Sequence, residues 1–177
     1  MTEFTYIGPL GVPLLLLSFI GLAVIIERLF FCLKLKTIDK AADFIKIKQT
    51  LEANAKQPKD SRDDLAKFLL LEAKKPYEHG LRTLRIIAVT SPMIGLLGTV
   101  LGIISAFKTI STYNGPVYPA LIADALWEAM LTTAFGLAIA LPCLFAAFIF
   151  TRIAEQRISN YQTQLNELSL KLDGIKL

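Results

Sequence analysis

The chain has 177 residues, of which 54% are hydrophobic and 19% are charged, and its mean hydropathy is +0.52. This composition excludes an ordinary soluble domain and is typical of a small polytopic membrane protein. The formal net charge is +4. The basic residues alternate with acidic ones beside apolar runs, which argues against nucleic-acid binding.

The first apolar run, residues 7–35, predicts a transmembrane helix that is retained in the protein. Residues 1–6 contain no Lys or Arg, and basic residues begin only at Arg28, the reverse of a secretory signal. Glu27 and Arg28 near the inner end of the run have two interpretations. Their side chains either reach toward the lipid headgroups as an interfacial pair or contact a neighbouring subunit.

The polar residues 36–83 predict two short amphipathic helices. The first is expected to use Thr37 as its N-cap, and the second is expected to use Asp60 or Ser61. The second helix is expected to end before Pro76, because a proline disfavours helical backbone at the residue that precedes it.

The single histidine and the two cysteines predict no separate chemistry. His79 lies beside Gly80 in a helix break, which favours a solvated loop residue over a proton relay. Cys32 and Cys143 lie inside apolar runs and have neither metal-ligand spacing nor a C-x-x-C relation. We therefore expect no metal and no cofactor. With no nucleophile–base pair and no phosphate loop, we also expect that the chain is not an enzyme.

Two further apolar runs, residues 84–110 and 120–150, are each long enough to cross about 30 Å of hydrocarbon. Each carries its small and polar residues on one side, within an arc of roughly 120° or 140° at about 100° per residue. These stripes are Ser91, Gly95, Gly98, Thr99, Gly102, Ser105 and Ala106 on the first run, and Ala125, Glu128, Ala129, Thr132, Thr133, Gly136, Ala140 and Cys143 on the second. Small residues let helix backbones approach closely in lipid. Both stripes should therefore be buried against protein or line a pore.

Glu128 is the most unusual residue of the three runs. It lies on the order of 13 Å along the helix from Pro119, and a carboxylate at that depth must face a cavity or find partners. Thr132, Thr133 and, on the preceding run, Thr99 complete a polar patch. Threonines alone are typical of interhelical hydrogen bonding. A glutamate beside two small-residue stripes favours an ion pathway.

The distribution of Lys and Arg predicts the topology. Between residues 34 and 85 there are thirteen Lys or Arg and eight Asp or Glu, whereas residues 1–6 and 111–119 contain no Lys or Arg. The prediction is an all-α membrane protein with three transmembrane helices. Its segments are an outer N-terminus (1–6), a first span (7–35), an inner helical region (36–83), a second span (84–110), an outer loop (111–119), a third span (120–150) and an inner C-terminal helix (151–177).

The segments SPMIGLLGTVLGIISAF and EAMLTTAFGLAIALP, with IIERLFF at the end of the first span, resemble the ExbB/TolQ/MotA proton-channel family and particularly its ExbB and TolQ members. The resemblance implies a ring-forming subunit, a homopentamer in the bacterial inner membrane, with a periplasmic N-terminus and a cytoplasmic C-terminus. The second and third spans would line a pore that holds two copies of a single-span ExbD- or TolR-type partner. That partner's aspartate would take up and release protons, and a TonB- or TolA-type protein would carry the work to the outer membrane.

The resemblance also implies roles for individual residues. Thr99 corresponds to the pore threonine of the second span, and Glu128 and Thr133 correspond to the glutamate and threonine of the third span. Thr132 is expected to line the same proton pathway. The expected helix-packing residues are Gly95, Gly98, Gly102 and Gly136.

The function that this resemblance favours is a proton-motive-force-driven motor subunit that energises TonB-dependent outer-membrane transport. A TolQ-type subunit of the Tol-Pal envelope system is the alternative within the family. A passive membrane scaffold, in which the small stripes serve only oligomerisation, is the alternative outside it. A flagellar-stator role is disfavoured, because those members carry four spans and a larger cytoplasmic part.

Overall fold

A computed structural model describes residues 10–37, 42–54, 57–116 and 118–172, and these ranges contain helices and turns but no strand. The helices are α1 (Gly11–Thr37), α2 (Ala42–Ala53), α3 (Lys59–Glu78), α4 (Leu81–Thr112) and α5 (Ala120–Leu172). Three of them, α1, α4 and α5, are long and apolar enough to cross a membrane. The predicted all-α fold with three such helices is confirmed.

Helix α5 is a single helix of 53 residues. The predicted third span, 120–150, therefore continues without a break into the predicted C-terminal helix, which the structure describes as far as Leu172. No glycine or proline lies around residue 151, so nothing in the local sequence ends the helix there. The edge of the apolar run is thus a change in side-chain polarity and not a helix terminus.

The N-terminal boundary predicted for the first polar helix is wrong. Thr37 is the last residue of α1, and α2 begins at Ala42. Residues 38–41 lie outside the described ranges. The apolar run of α1 gives way to charged residues without a glycine or proline, so the helix extends to Thr37 instead of stopping before it.

Both predicted ends of the second polar helix, α3, also differ from the structure. Its N-cap is Pro58, at φ −52° and ψ 148°, and no side chain caps the helix. Asp60 lies inside the first turn. Lys59, Asp60 and Ser61 are exposed, so water can satisfy the backbone N–H groups of the first turn without a capping side chain.

At its other end, α3 continues through Pro76 to Glu78. The prediction that α3 ends before Pro76 is therefore wrong. Pro76 removes one backbone donor, but the helix stops two residues later, so little of it is affected. Gly80 then adopts a left-handed backbone at φ 72° and separates α3 from α4.

The chain divides into two compact units. One comprises the chain up to Ile26 together with Arg82–Ala147, and the other comprises Glu27–Leu81 and the chain from Phe148 onward. The first unit therefore holds most of the apolar length of α1, α4 and α5. The second holds the polar helices α2 and α3 and the C-terminal part of α5.

The second unit has its own hydrophobic core. Ile47 and Leu51 of α2 and Leu165 of α5 are buried there, and Leu51 is fully buried. Half-buried apolar residues of α3 and α5 surround these three side chains, namely Ala66, Leu69, Leu70, Ala73 and Leu168. The Ser169 hydroxyl also donates a hydrogen bond of 3.1 Å to Oδ1 of Asp63. The polar region is thus a packed helical unit.

Candidate functional site

The site lies in the first unit, where α4 and α5 are in close contact. Gly102 faces Ala125 and Ala129, and a Cβ atom added to Gly102 would overlap the Ala129 side chain and lie 3.0 Å from the Ala125 carbonyl oxygen. A Cβ atom added to Gly98 would lie 2.9 Å from Cβ of Thr132. The glycines of α4 therefore let α5 approach closely, as small residues do between membrane helices.

The two helices are closest near Gly95 and Gly136. A Cβ atom added to Gly136 would lie 2.6 Å from the Ser91 carbonyl oxygen and 3.2 Å from Cα of Gly95. A Cβ atom added to Gly95 would lie 3.0 Å from Cα of Thr133. Because these neighbours are backbone atoms, no side-chain rotation relieves the overlap. Glycine at position 136 is thus required for this helix spacing.

The three candidate threonines make different hydrogen bonds. The Thr133 hydroxyl donates across the helix contact to the Gly95 carbonyl oxygen at 2.8 Å. The Thr132 hydroxyl is buried and donates within α5 to the Ala129 carbonyl oxygen at 2.7 Å. The Thr99 hydroxyl donates within α4, to the carbonyl oxygen of Leu96 at 2.7 Å. Only the Thr133 hydroxyl bridges the two helices. In each case the hydroxyl oxygen keeps lone pairs that can accept a hydrogen bond.

Glu128 faces a cavity of about 200 Å³ between the helices of this unit. The residues that line it are Leu10, Gly98, Leu101, Gly102, Ser105, Ala125, Glu128, Ala129 and Thr132. Glu128 is half-buried. Within the part of the chain that the structure describes, its carboxylate forms no ion pair and accepts no hydrogen bond. None of the described protein groups therefore stabilises the charge of this carboxylate by a hydrogen bond or an ion pair.

The structure brings some of the candidate residues together and separates others. Thr132 and Glu128 line the same cavity, whereas Thr99 and Thr133 do not. Thr133 instead contacts Gly95 at the helix crossing. The polar patch is thus two neighbouring features, a cavity that contains the carboxylate and a hydrogen-bonded helix contact.

Sequence reasoning missed a structural role for Arg28. This arginine lies in the second unit, and its side chain is 4% exposed. Its Nη1 donates a hydrogen bond of 2.9 Å to the Pro76 carbonyl oxygen, and its guanidinium carbon lies 5.0 Å from the centre of the Phe31 ring. Glu27 is also close to Arg28, since Oε1 of Glu27 lies 3.5 Å from Nη2 of Arg28, but the Glu27 side chain is 54% exposed.

Arg28 therefore caps the last turn of α3. Carbonyl groups at a helix C-terminus lack intrahelical partners and favour a nearby cation. The interpretation of Arg28 as a residue that reaches the lipid headgroups is wrong, because the guanidinium is buried against α3. The sequence signal for this role was the position of Pro76 close to a helix end, since carbonyl groups in the last turn of a helix lack intrahelical partners.

His79 lies in the turn after α3 with its side chain 73% exposed, as expected of a solvated residue.

The fold and the site together define a multi-pass helical membrane protein with a carboxylate-bearing cavity among its apolar helices. The family model described as the MotA/TolQ/ExbB proton channel family matches residues 26–163, and the chain belongs to this family. It is therefore an ExbB/TolQ-family proton-channel subunit, and the resemblance seen in the sequence is confirmed. The family is a transport family and not a known class of enzymes.

Three relatives show the extent of the similarity. The biopolymer transport protein exbB1 of Vibrio cholerae serotype O1 is 32% identical over 97% of this chain and 87% of that protein. The biopolymer transport protein ExbB of Xanthomonas campestris pv. campestris is 33% identical over 51% of this chain and 36% of that protein. The Tol-Pal system protein TolQ of Pseudomonas aeruginosa is 35% identical over 55% of this chain and 39% of that protein. The chain thus matches nearly all of the first relative but well under half of the length of the other two.

Proposed function

We propose that this chain is an ExbB-type subunit that uses the proton motive force, together with an ExbD-type partner, to energise TonB-dependent transport across the bacterial outer membrane. The observation that carries the proposal is the similarity to a biopolymer transport protein along nearly the whole chain. The similarity to TolQ covers only about half of the chain. In the proposed assembly the chain forms a homopentamer in the inner membrane, and its pore takes the single spans of two partner chains.

Within that assembly we assign Thr99 and Thr133 to the path along which the partner's aspartate exchanges protons. Both hydroxyls direct their hydrogen to a backbone carbonyl oxygen. Their oxygen lone pairs therefore remain available to accept a hydrogen bond from a protonated carboxyl group. A hydroxyl in a fixed orientation can support repeated protonation and deprotonation of a partner without changing its own charge.

Glu128 has a different proposed role. Among the residues that the structure describes, none forms an ion pair with Glu128, and a half-buried carboxylate of this kind imposes a negative potential on its surroundings. That potential favours an incoming proton over an anion. The residue therefore sets the electrostatics of the pathway or of the contact between subunits, and Thr132 supports it from the same cavity.

The test uses a bacterial strain that lacks its own ExbB and is supplied with this chain and a candidate ExbD-type partner. Glu128→Gln keeps the shape of the side chain and removes its charge. We expect this variant to assemble normally and to lose energy-dependent uptake of iron–siderophore complexes. The matched control is Glu155→Gln, because Glu155 is exposed and lies in the second unit. Full uptake by Glu128→Gln would refute a role of the Glu128 charge in transport, whereas no uptake even with the unsubstituted chain would favour the passive scaffold.

A TolQ-type role is the second candidate, and the 35% identity to a TolQ protein supports it. The two roles predict different phenotypes when the chain is deleted from its own organism. Failure to grow on scarce iron, with normal detergent resistance, supports the ExbB-type role. Detergent sensitivity with normal iron use supports the TolQ-type role.

A further inference from the structure

The loop between α4 and α5 contains the dipeptide Asn114–Gly115 in exposed, irregular backbone. Helix α4 ends at Thr112 and α5 begins at Ala120, and both residues of the dipeptide are exposed. Within the part of the chain that the structure describes, neither the Asn114 side chain nor the Gly115 N–H forms a hydrogen bond. Solvent therefore reaches the side-chain amide and the backbone nitrogen that follows it, and no hydrogen bond among these residues holds either group in place.

The neighbouring tyrosines explain why a glycine follows Asn114. A Cβ atom added to Gly115 would lie 2.9 Å from Cε1 of the Tyr113 ring and 3.4 Å from its hydroxyl oxygen. The Tyr113 ring also packs edge-to-face against the Tyr118 ring, with 6.1 Å between the ring centres. The packing of this loop thus favours a residue without a side chain at position 115.

An asparagine side chain can react with the next backbone nitrogen. The nitrogen of residue 115 bonds to Cγ of Asn114, the bond from Cγ to the side-chain nitrogen breaks, and that nitrogen keeps the electron pair. The proton of the Gly115 N–H passes through solvent to the leaving group, which departs as ammonia, and a five-membered succinimide remains. Water then opens the ring. Attack at Cγ gives aspartate, and attack at the backbone carbonyl carbon gives isoaspartate.

We propose that Asn114 is a site of spontaneous deamidation, which converts it to aspartate or isoaspartate. Ring closure must bring the Gly115 nitrogen to Cγ of Asn114, and a glycine presents no Cβ atom to hinder that approach. Residues 111–119 contain no charged side chain, so the product gives this loop its first carboxylate. The reaction needs only water and the loop itself, so it does not depend on the proposed function.

Two other asparagines of the chain provide internal controls. Asn160 and Asn166 are also exposed, but both lie inside α5. In a helix the next backbone N–H is held by a hydrogen bond to a carbonyl oxygen, and here the next residues, Tyr161 and Glu167, carry side chains. Because both features hinder ring closure, these two asparagines should react roughly tenfold or more slowly than Asn114.

The experiment uses the complete protein, reconstituted in liposomes with its ExbD-type partner and incubated in heavy-oxygen water at mildly alkaline pH. Samples taken over several days are digested with chymotrypsin in ordinary water and followed by mass spectrometry. We expect the peptide that begins at Asn114 to gain one heavy oxygen atom, at a rate that rises with pH, because the attacking nitrogen must lose its proton. Isoaspartyl methyltransferase, used as a probe, should methylate the same peptide. A rate at Asn114 no faster than the rate at Asn160 would overturn the proposal.

The variant Asn114→Gln tests the ring-closure step. Glutamine keeps the neutral amide but adds a methylene group, so its attack must close a less favourable six-membered ring, and the peptide should gain heavy oxygen at least tenfold more slowly. An undiminished gain in this variant would contradict the mechanism.

Failure of this inference and failure of the proposed function give different results. An unreactive Asn114 in cells with full energy-dependent uptake would refute the modification site alone. Rapid deamidation of Asn114 in a chain that supports no uptake would confirm the site and count only against the proposed function.

Discussion

The replacement Thr133→Val separates a proton-pathway role from a packing role at the α4–α5 contact. Valine has nearly the shape of threonine but lacks the hydroxyl, so it removes the 2.8 Å hydrogen bond to the Gly95 carbonyl oxygen and leaves the helix spacing unchanged. We expect the assembled complex to persist and energy-dependent uptake to be lost.

The structure bounds the stability effect of this replacement. A hydrogen bond between membrane helices contributes about 0.6 kcal/mol on average and about 1.7 kcal/mol at most. A loss of about 0.6 kcal/mol changes a folding equilibrium only about threefold. If Thr133 served only to join the helices, uptake would fall no further than the amount of assembled protein. If uptake falls by more than the amount of assembled complex, the Thr133 hydroxyl must act directly in transport.

The assay measures uptake of a labelled iron–siderophore complex and the amount of assembled complex in the same cells. Thr163→Val is the matched control within α5, because that exposed hydroxyl donates to the Ser159 carbonyl oxygen of its own helix and lies in the second unit. Thr133→Ser should restore uptake, because it returns the hydroxyl. Normal uptake by Thr133→Val would refute the assignment of Thr133 to the proton path.

Three further replacements test the packing. Gly136→Ala places a methyl group 2.6 Å from the Ser91 carbonyl oxygen, and overpacking of this kind costs about 1–3 kcal/mol, so the detergent-solubilised protein should unfold at a lower temperature. Arg28→Met removes the cation that caps the Pro76 carbonyl oxygen, and the lost charged hydrogen bond should cost about 1.5–3 kcal/mol of stability. Leu51→Ala empties a fully buried position of the polar unit and should destabilise that unit by about 2–5 kcal/mol, measured as faster proteolysis of α2 and α3.

Each of these replacements has a control at an exposed position. Ala138→Ser changes an exposed residue of α5 and should leave the unfolding temperature unchanged. Arg152→Met breaks an exposed ion pair with Glu155, which contributes at most about 1 kcal/mol. Leu71→Ala truncates a side chain that is 62% exposed and should not affect proteolysis. Equal effects in a replacement and its control would contradict the packing described here.

The apolar helices were predictable because length, hydropathy and the absence of charge specify a membrane span without reference to the rest of the chain. The stripes were predictable for a similar reason, since the helical period alone places Gly95, Gly98 and Gly102 on one face. The sequence did not specify what those glycines contact. That contact depends on the register of two helices, and in the structure it places Gly98 against Thr132.

The cavity also depends on helix register. The sequence suggested one polar patch of Glu128, Thr132, Thr133 and Thr99. Only Glu128 and Thr132 line the cavity, and Ser105 and Leu10 join them there. Leu10 lies far from the other lining residues in sequence, so no spacing rule connects them. The buried capping role of Arg28 was hidden for the same reason, since Arg28 and Pro76 are 48 residues apart.

The most direct test of the central claim is native mass spectrometry of this chain, co-expressed with a candidate ExbD-type partner and extracted in detergent. The proposed motor predicts five copies of the chain with two copies of the partner. A monomer or dimer that does not bind the partner would contradict the motor and would mean that the close α4–α5 contact serves packing alone.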